Sequence, residues 1–390
     1  MTTKREKLLR LIRGEDPGEI LVSPLIDSWV LPDRTQKAYN PDEEDEYYSA
    51  YVLQGPLEDQ YRMGDIVGYE PIAVKQPDWS LGRPSLSWSR QLVGEDPVAK
   101  LRAERLTLHT PYGDLSRRRE SSVSSSRTID ESTVTMATRH KIIEWYVDEC
   151  SSCDLEPVKE QIRGYVQVRG ERGLLSGGVA AGPWGLFGIV GSDVAGNIYH
   201  FADYPNEHRR LADKILEVAK LQASTMLECG YDLIWNGGGT GMSSAAYRRS
   251  TSLPYDLALN AYVKSKGGLI YTHDCQPVMS AIREGLFNEQ LPSVLETLSP
   301  PPAGDVSDLA AARRMLDARI CTKGNIEVGR LLEADVEEIR AATLDVIAAT
   351  KGFRHMVGTG DDVYDGTPIE NLQAIVDTAK NYTGRWFATV

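Results

Sequence analysis

The sequence predicts an α/β fold: a (β/α)8 barrel of TIM type with an amino-terminal extension and an inserted antiparallel β meander. Three observations carry this. From about residue 134 onward, short apolar runs alternate with longer helix-like segments, the rhythm of a parallel sheet. Two apolar runs nearer the amino terminus bring the strands to eight, the number that closes a barrel. Residues 85–130 break the rhythm with alternating polar and apolar positions around the turn signal Thr110-Pro111-Tyr112-Gly113-Asp114, as an antiparallel meander does. The expected organisation is one domain over 1–390, with 85–130 inserted in or appended to it.

In chain order, residues 4–13 read as an amphipathic helix and 19–25 as the first strand. Residues 40–63, acidic and tyrosine-rich, read as partly helical, and 65–74 as the second strand. After the meander, helices are expected over 141–148 and 155–168, then a strand over 174–181. A long helix over 206–229 leads to a strand over 231–235 and a glycine-rich loop. The helix 253–266 precedes the strand that ends in His273-Asp274-Cys275. Three more strands follow, over 294–296, 319–325 and 353–357, with helices over 277–284, 310–316, 336–350 and 371–382. Asp335 is placed to cap the third of these helices.

Composition narrows the function classes. A formal net charge of -13 argues against a nucleic-acid surface, which needs clustered Lys and Arg. No run of about 18 apolar residues is present, so no membrane span is expected. The charged start Met1-Thr2-Thr3-Lys4-Arg5-Glu6-Lys7 has no apolar signal core, which makes the cytoplasm the expected location. Five scattered cysteines do not form a secreted disulfide framework. Cys150-Ser151-Ser152-Cys153 has no second pair and reads as coincidence. Gly237 to Gly241 lacks the lysine and hydroxyl spacing of a phosphate loop, and no Gly-x-Ser-x-Gly elbow occurs.

In a barrel, chemistry sits at the carboxyl ends of the strands. There the sequence places His273 and Cys275, then Glu296, then Lys323 and Asn325, and last Asp361 and Asp362. Imidazole, thiolate and carboxylate facing one point make a three-ligand zinc site with an open position. His273, Cys275 and Glu296 are the expected metal ligands. The alternative reading is a packed histidine beside an inert cysteine. Asp361, Asp362 and Asn325 are the catalytic candidates, the two aspartates to orient substrate or shuttle protons. Trp29, Trp184, Asn236 and Lys323 are expected to line the substrate pocket.

Several of these stretches resemble the uroporphyrinogen decarboxylase superfamily, and within it the cobalamin-linked branch that includes the methylcobamide:coenzyme M methyltransferases. The stretches are the opening helix 4–15, Gly182-Pro183-Trp184-Gly185, Thr272-His273-Asp274-Cys275 and the segment 295–305. Lys323-Gly324-Asn325-Ile326 and Gly366-Thr367-Pro368-Ile369-Glu370-Asn371 complete the set. The resemblance implies a TIM barrel and a zinc ion held by the His-x-Cys pair and a later cysteine, with a methyl-accepting thiol activated there. At the place of that later cysteine this chain has Thr359, which leaves Glu296, or else Asp361 or His355, for the third coordination place. The paired arginines of the decarboxylases themselves, in Arg-x-x-Gly-Arg, are not found around Asp27 to Arg34.

The resulting expectation is a zinc-dependent methyltransferase moving a methyl group between a small substrate and cobalamin carried by a separate corrinoid protein. The substrate is a methoxy, methylthio or methylamine compound or a thiol acceptor. A homodimer is compatible with the sequence. The alternatives are a metal-free decarboxylase or lyase on the same barrel, and a non-catalytic small-molecule-binding barrel.

Overall fold

The apolar runs of the carboxyl-terminal two thirds become one parallel sheet in the computed structural model of the chain. The structure describes residues 2–26, 57–83, 85–96, 101–121, 126–183, 185–186, 194–238, 243–364, 366–384 and 386–387. Trp29 and Trp184 lie outside the described residues, as does most of the stretch 40–63.

The strands in chain order are β1 (Ile72–Val74), β2 (Ser87–Asp96), β3 (Leu101–His109), β4 (Leu115–Ser121), β5 (Ser126–Asp130) and β6 (Leu174–Gly178). They continue with β7 (Leu233–Trp235), β8 (Leu269–Asp274), β9 (Val294–Thr297), β10 (Cys321–Ile326) and β11 (His355–Thr359). The described helices begin with α1 (Lys4–Arg13), α2 (Leu57–Val67), α3 (Met136–Ser151), α4 (Glu156–Arg169), α5 (Val194–Asp203), α6 (Pro205–Glu228) and α7 (Ala245–Ser250). The rest are α8 (Leu253–Ser265), α9 (Met279–Arg283), α10 (Leu286–Gln290), α11 (Leu309–Met315), α12 (Val328–Glu333), α13 (Val336–Thr350) and α14 (Ile369–Lys380). None of the described helices is long and apolar enough to cross a membrane.

The main sheet runs β1-β6-β7-β8-β9-β10-β11, and all its ladders are parallel. The eighth strand expected over 19–25 does not form a ladder. It makes two isolated parallel bridges to the last strand's side, Val22 to Val357 and Leu25 to Asp362. On its other flank the Glu70 N–H donates to the Val22 carbonyl at 2.8 Å. Pro24 lies between the two bridged residues and has no N–H to give a ladder. The sheet is therefore a curled, incompletely closed barrel with residues 20–26 between its two edges. The second strand is also shorter than expected: residues 65–67 end α2, and only Ile72–Val74 is extended.

Alternation along the strands sorts their side chains. Leu21, Ile72, Leu174, Leu233, Tyr271, Val294, Cys321 and Met356 form one buried apolar cluster with Leu8, Leu11 and Ile12 of α1. The amphipathic first helix thus closes the amino-terminal end of the barrel. Thr3 caps its start by accepting from the Glu6 N–H, and Gly14 ends it at φ 86°. Residues two positions further along the strands face the same interior one layer nearer the carboxyl-terminal mouth. At the start of α13, Asp335 and Glu338 form a reciprocal capping box.

The meander is a separate four-stranded antiparallel sheet of order β2-β3-β4-β5. Register puts Trp88, Leu108 and Leu115 in one cross-strand row and Arg117 and Asp130 in another, two residues further along on the same face.

Candidate functional site

The strand register assembles the site from the residues upward. His273 of β8 pairs with Glu296 of β9, and Glu296 pairs with Lys323 of β10. These three stand two residues beyond Tyr271, Val294 and Cys321, so they occupy the layer above the apolar floor. Glu296 and Lys323 are each 1% exposed, which demands that both charges be matched. The Lys323 ammonium donates to Glu296 Oε2, and Lys323 Nζ lies 3.3 Å from the Tyr271 hydroxyl. The other carboxylate oxygen, Oε1, lies 2.8 Å from His273 Nδ1.

This arrangement sets the protonation states. Burial would raise the Glu296 carboxyl, but Lys323 and His273 outweigh it and hold the group down at about 2. Burial would lower the His273 imidazole, but hydrogen bonds with Cys275 and Glu296 outweigh it and hold it well above the ordinary histidine value. Tyr271 is pushed up by burial and by the Glu296 charge, so its hydroxyl stays protonated. With Nδ1 committed to Glu296, the His273 nitrogen on the Cys275 side is Nε2.

Cys275 lies two residues past His273, on the same side of the chain. Asp361 approaches from the loop after β11. One ligand atom from each of His273, Cys275 and Asp361 lies within 4.8 Å of the others, and among the described residues this is the sole cluster of at least three such groups. Burial raises the Asp361 carboxyl, partly offset by the His273 charge. Nitrogen, sulfur and oxygen donors at this spacing fit a zinc ion with one position left for a substrate. The carboxylate on His273 Nδ1 fixes ring orientation and tautomer, a partner that metal-binding histidines commonly have.

The expected residues separate into three groups. His273, Cys275 and Asp361 come together, with Asp361 in the cluster where Glu296 was expected. Glu296 stands behind the imidazole, both its oxygens engaged, and Lys323 is its counter-ion beneath the site, not an open cation for substrate. Asn236 does not line the mouth. It is 1% exposed, and its amide nitrogen donates to Asn260 Oδ1 of α8 at 2.8 Å. Asn325 is 8% exposed and donates to the Leu298 carbonyl at 2.8 Å, holding the loop after β9. The Asp362 N–H donates to Asp361 Oδ1 at 2.9 Å, so Asp362 positions its neighbour.

Thr359, at the place of the cysteine that the resemblance implies, accepts the Leu25 N–H on Oγ1 at 3.0 Å and is 1% exposed. It serves the contact with residues 20–26. His355, the other alternative ligand, is at the opposite end of β11. It lies between Thr322 Oγ1 at 2.9 Å and the Gly324 carbonyl at 2.8 Å. Sequence reading missed Trp235 and Tyr271. The Trp235 ring stands 5.6 Å from the His273 ring and 6.2 Å from that of Tyr271. Their spacing from Asn236 and His273 was the available signal: one residue before the first, two before the second.

Comparison with known proteins places the chain. Residues 132–382 match the family described as uroporphyrinogen decarboxylase (URO-D). The chain is 24% identical over 189 residues to the uroporphyrinogen decarboxylase of Microcystis aeruginosa, covering 46% of this chain and 49% of that one. It is 31% identical over 78 residues to that of Coxiella burnetii, covering 20% of this chain and 21% of the other. The chain thus spans about half the length of the first relative and a fifth of the second. Among solved structures, a methyltransferase from Methanosarcina mazei matches with a TM-score of 0.62 at 14% identity, over 97% of this chain and 98% of that one. That likeness is one of fold. The family match covers well over half of the chain, the strands that bear the site included, and the chain belongs to the uroporphyrinogen decarboxylase family.

Proposed function

We propose that this chain is a zinc-dependent methyltransferase that moves a methyl group between a small substrate and cobalamin on a separate corrinoid protein. The observation that carries the reading is the His273, Cys275 and Asp361 cluster at the carboxyl ends of β8 and β11. Support also comes from the match in fold to a methyltransferase. His273, Cys275 and Asp361 would hold the metal, which when bound supplies Lewis acidity to activate a thiol or polarise a substrate oxygen.

The chain's own residues prepare that chemistry. Glu296 keeps the proton on Nδ1 of His273, so Nε2 is the nitrogen presented to the cluster. Lys323 balances the Glu296 charge, so that the carboxylate stays ionised in a buried layer. The Trp235 ring packs beside the His273 ring, 5.6 Å between centroids. Asp362 holds the Asp361 carboxylate through its backbone N–H.

The test follows methyl transfer from methoxy, methylthio and methylamine compounds to cob(I)alamin, and from methylcobalamin to small thiols. The reading expects transfer in one of these directions, loss on chelation and recovery with zinc. Full activity in chelator, or no transfer in either direction, sinks it. A second reading, metal-free decarboxylation, draws support from the named relatives and from the row of buried Lys323 and Glu296 and half-buried His273, which can carry a proton. It predicts release of carbon dioxide from a carboxylated substrate at a rate indifferent to chelator.

A further inference from the structure

A second site lies away from the barrel mouth. The inner face of the meander covers α3 and α6 and leaves a cavity of about 280 Å³. Its walls are mostly apolar, with Trp88, Leu108 and Leu115 from the meander and Val147, Ile215 and Val218 from the helices. It holds none of His273, Cys275 or Asp361.

Four charged side chains face this space: Arg83, Arg117, Arg139 and Asp130. Asp130 pairs with Arg139 at 2.6 Å. Arg117 lies over the Trp88 ring at 5.8 Å. Arg83 is different. It ends the short turn Trp79–Gly82, is 5% exposed, and donates Nη1 to the Cys150 sulfur at 2.9 Å. Among the described residues its Nε and Nη2 are buried without a hydrogen-bond partner, with the Tyr146 hydroxyl close to the guanidinium. The thiol is not a counter-ion, because burial pushes Cys150 up to about 11 and leaves it neutral at physiological pH. A buried guanidinium with no anion beside it among the described residues is costly, and native proteins pair such groups.

We propose that this cavity binds a small carboxylic acid with an apolar body, its carboxylate held side-on by Nε and Nη2 of Arg83 once a small movement of that side chain opens this edge, closed off in the empty cavity, to the ligand. Those two nitrogens form the parallel donor edge of the guanidinium, which matches the two oxygens of one planar carboxylate. The apolar body then lies among Trp88, Leu115, Ile215 and Val218. The volume is near the lower limit of roughly 300 Å³ for small-molecule pockets, which sets the ligand as a short aliphatic or single-ring acid. The Trp88 ring lines the cavity and is 46% exposed. The site does not depend on the metal cluster or on methyl transfer.

The experiment is calorimetric titration with benzoate, phenylacetate and hexanoate, each beside its primary amide, and with inorganic phosphate. At least one acid is expected to bind, with its amide weaker by about tenfold or more, as the loss of a charge-assisted pair of hydrogen bonds implies. Arg83→Gln is expected to abolish that binding. Since loss of a buried arginine can unfold a chain, Val218→Phe serves as the second variant: it fills the apolar end and leaves Arg83 and Cys150 in place. It too is expected to weaken the acid about tenfold or more, with the unfolding midpoint retained. Chelator-treated protein is expected to bind the acid as before, which separates this site from the metal reading. The proposal is overturned if no acid binds, if an amide equals its acid, if phosphate displaces the acids, or if Val218→Phe binds unchanged.

Discussion

Glu296 answers to two cations at once, and its replacement separates their roles. Glu296→Gln leaves Lys323 buried without a counter-charge and is expected to cost about 3–5 kcal/mol in urea unfolding. Adding Lys323→Met to it is expected to recover part of that loss, because the unpaired charge is gone. A single variant within about 1 kcal/mol of the parent would show that the pair is not held as described. The same single change is expected to weaken zinc binding about 10–100-fold, because a neutral amide oxygen holds the His273 ring and raises its basicity less than a carboxylate does. At this scale His273, Cys275, Glu296, Lys323 and Asp361 were all legible as strand-end residues. Their division of labour was not. Register alone puts Glu296 opposite both His273 and Lys323, and register is set by pairing across strands, which no local spacing encodes. Asn236 misled for a related reason. As the residue after Trp235 it falls on the other side of the strand, toward α8.

Each element of the barrel's last corner depends on close backbone contact. Gly324 has φ 137°, and a Cβ there would lie 2.0 Å from the Thr297 carbonyl oxygen. Gly324→Ala is therefore expected to cost about 3 kcal/mol or more in chemical denaturation, since backbone must move. A loss under about 1 kcal/mol would contradict that geometry. Thr359→Cys tests the neighbouring strand. Thr359 Oγ1 accepts the Leu25 N–H and is not among the clustered ligand atoms. The substitution is expected to leave zinc stoichiometry unchanged and to lower stability by about 1 kcal/mol through a poorer acceptor. A gain in bound metal would show that this position does reach the cluster. Apolar runs bounded by turns located the seven strands of the parallel sheet. They overread residues 19–25 because Pro24 interrupts a ladder that the surrounding Ile20, Leu21 and Val22 invite. They overread 65–67 because Ile66 and Val67 suit a helix end as well as a strand.

The whole molecule buries three histidines in neutral form. Burial, together with neighbouring histidines in the first case, lowers His200 to about 4; burial lowers His208 to about 4 and His355 to about 3. Unfolding returns each to about 6.5, so the unfolded chain binds more protons across this range and stability falls as the pH is lowered. The loss begins near pH 6.5 and continues toward pH 4. In the metal-free chain His273, raised instead of lowered, opposes this slope near pH 6.5 and ceases to matter about one pH unit lower, where both states are protonated. Thermal unfolding midpoints are expected to fall steadily from pH 6.5 to 5, with His208→Gln flattening the curve. A midpoint constant over that interval would contradict the burial of neutral imidazoles. Alternation of strand and helix made the α/β architecture legible at this scale, and polar alternation located the meander. The cavity beneath the meander was not legible, because Arg83, Trp88 and Val218 meet only after sheet and helices pack.

The most direct test of the central claim is metal content. Protein purified in zinc-containing buffer and then dialysed is expected to carry one zinc per chain by elemental analysis. Cys275→Ser and Asp361→Asn are each expected to lose most of it while retaining the parent's circular dichroism. A parent chain without bound metal, or variants that keep the full complement, would contradict the assignment of His273, Cys275 and Asp361 as one metal centre.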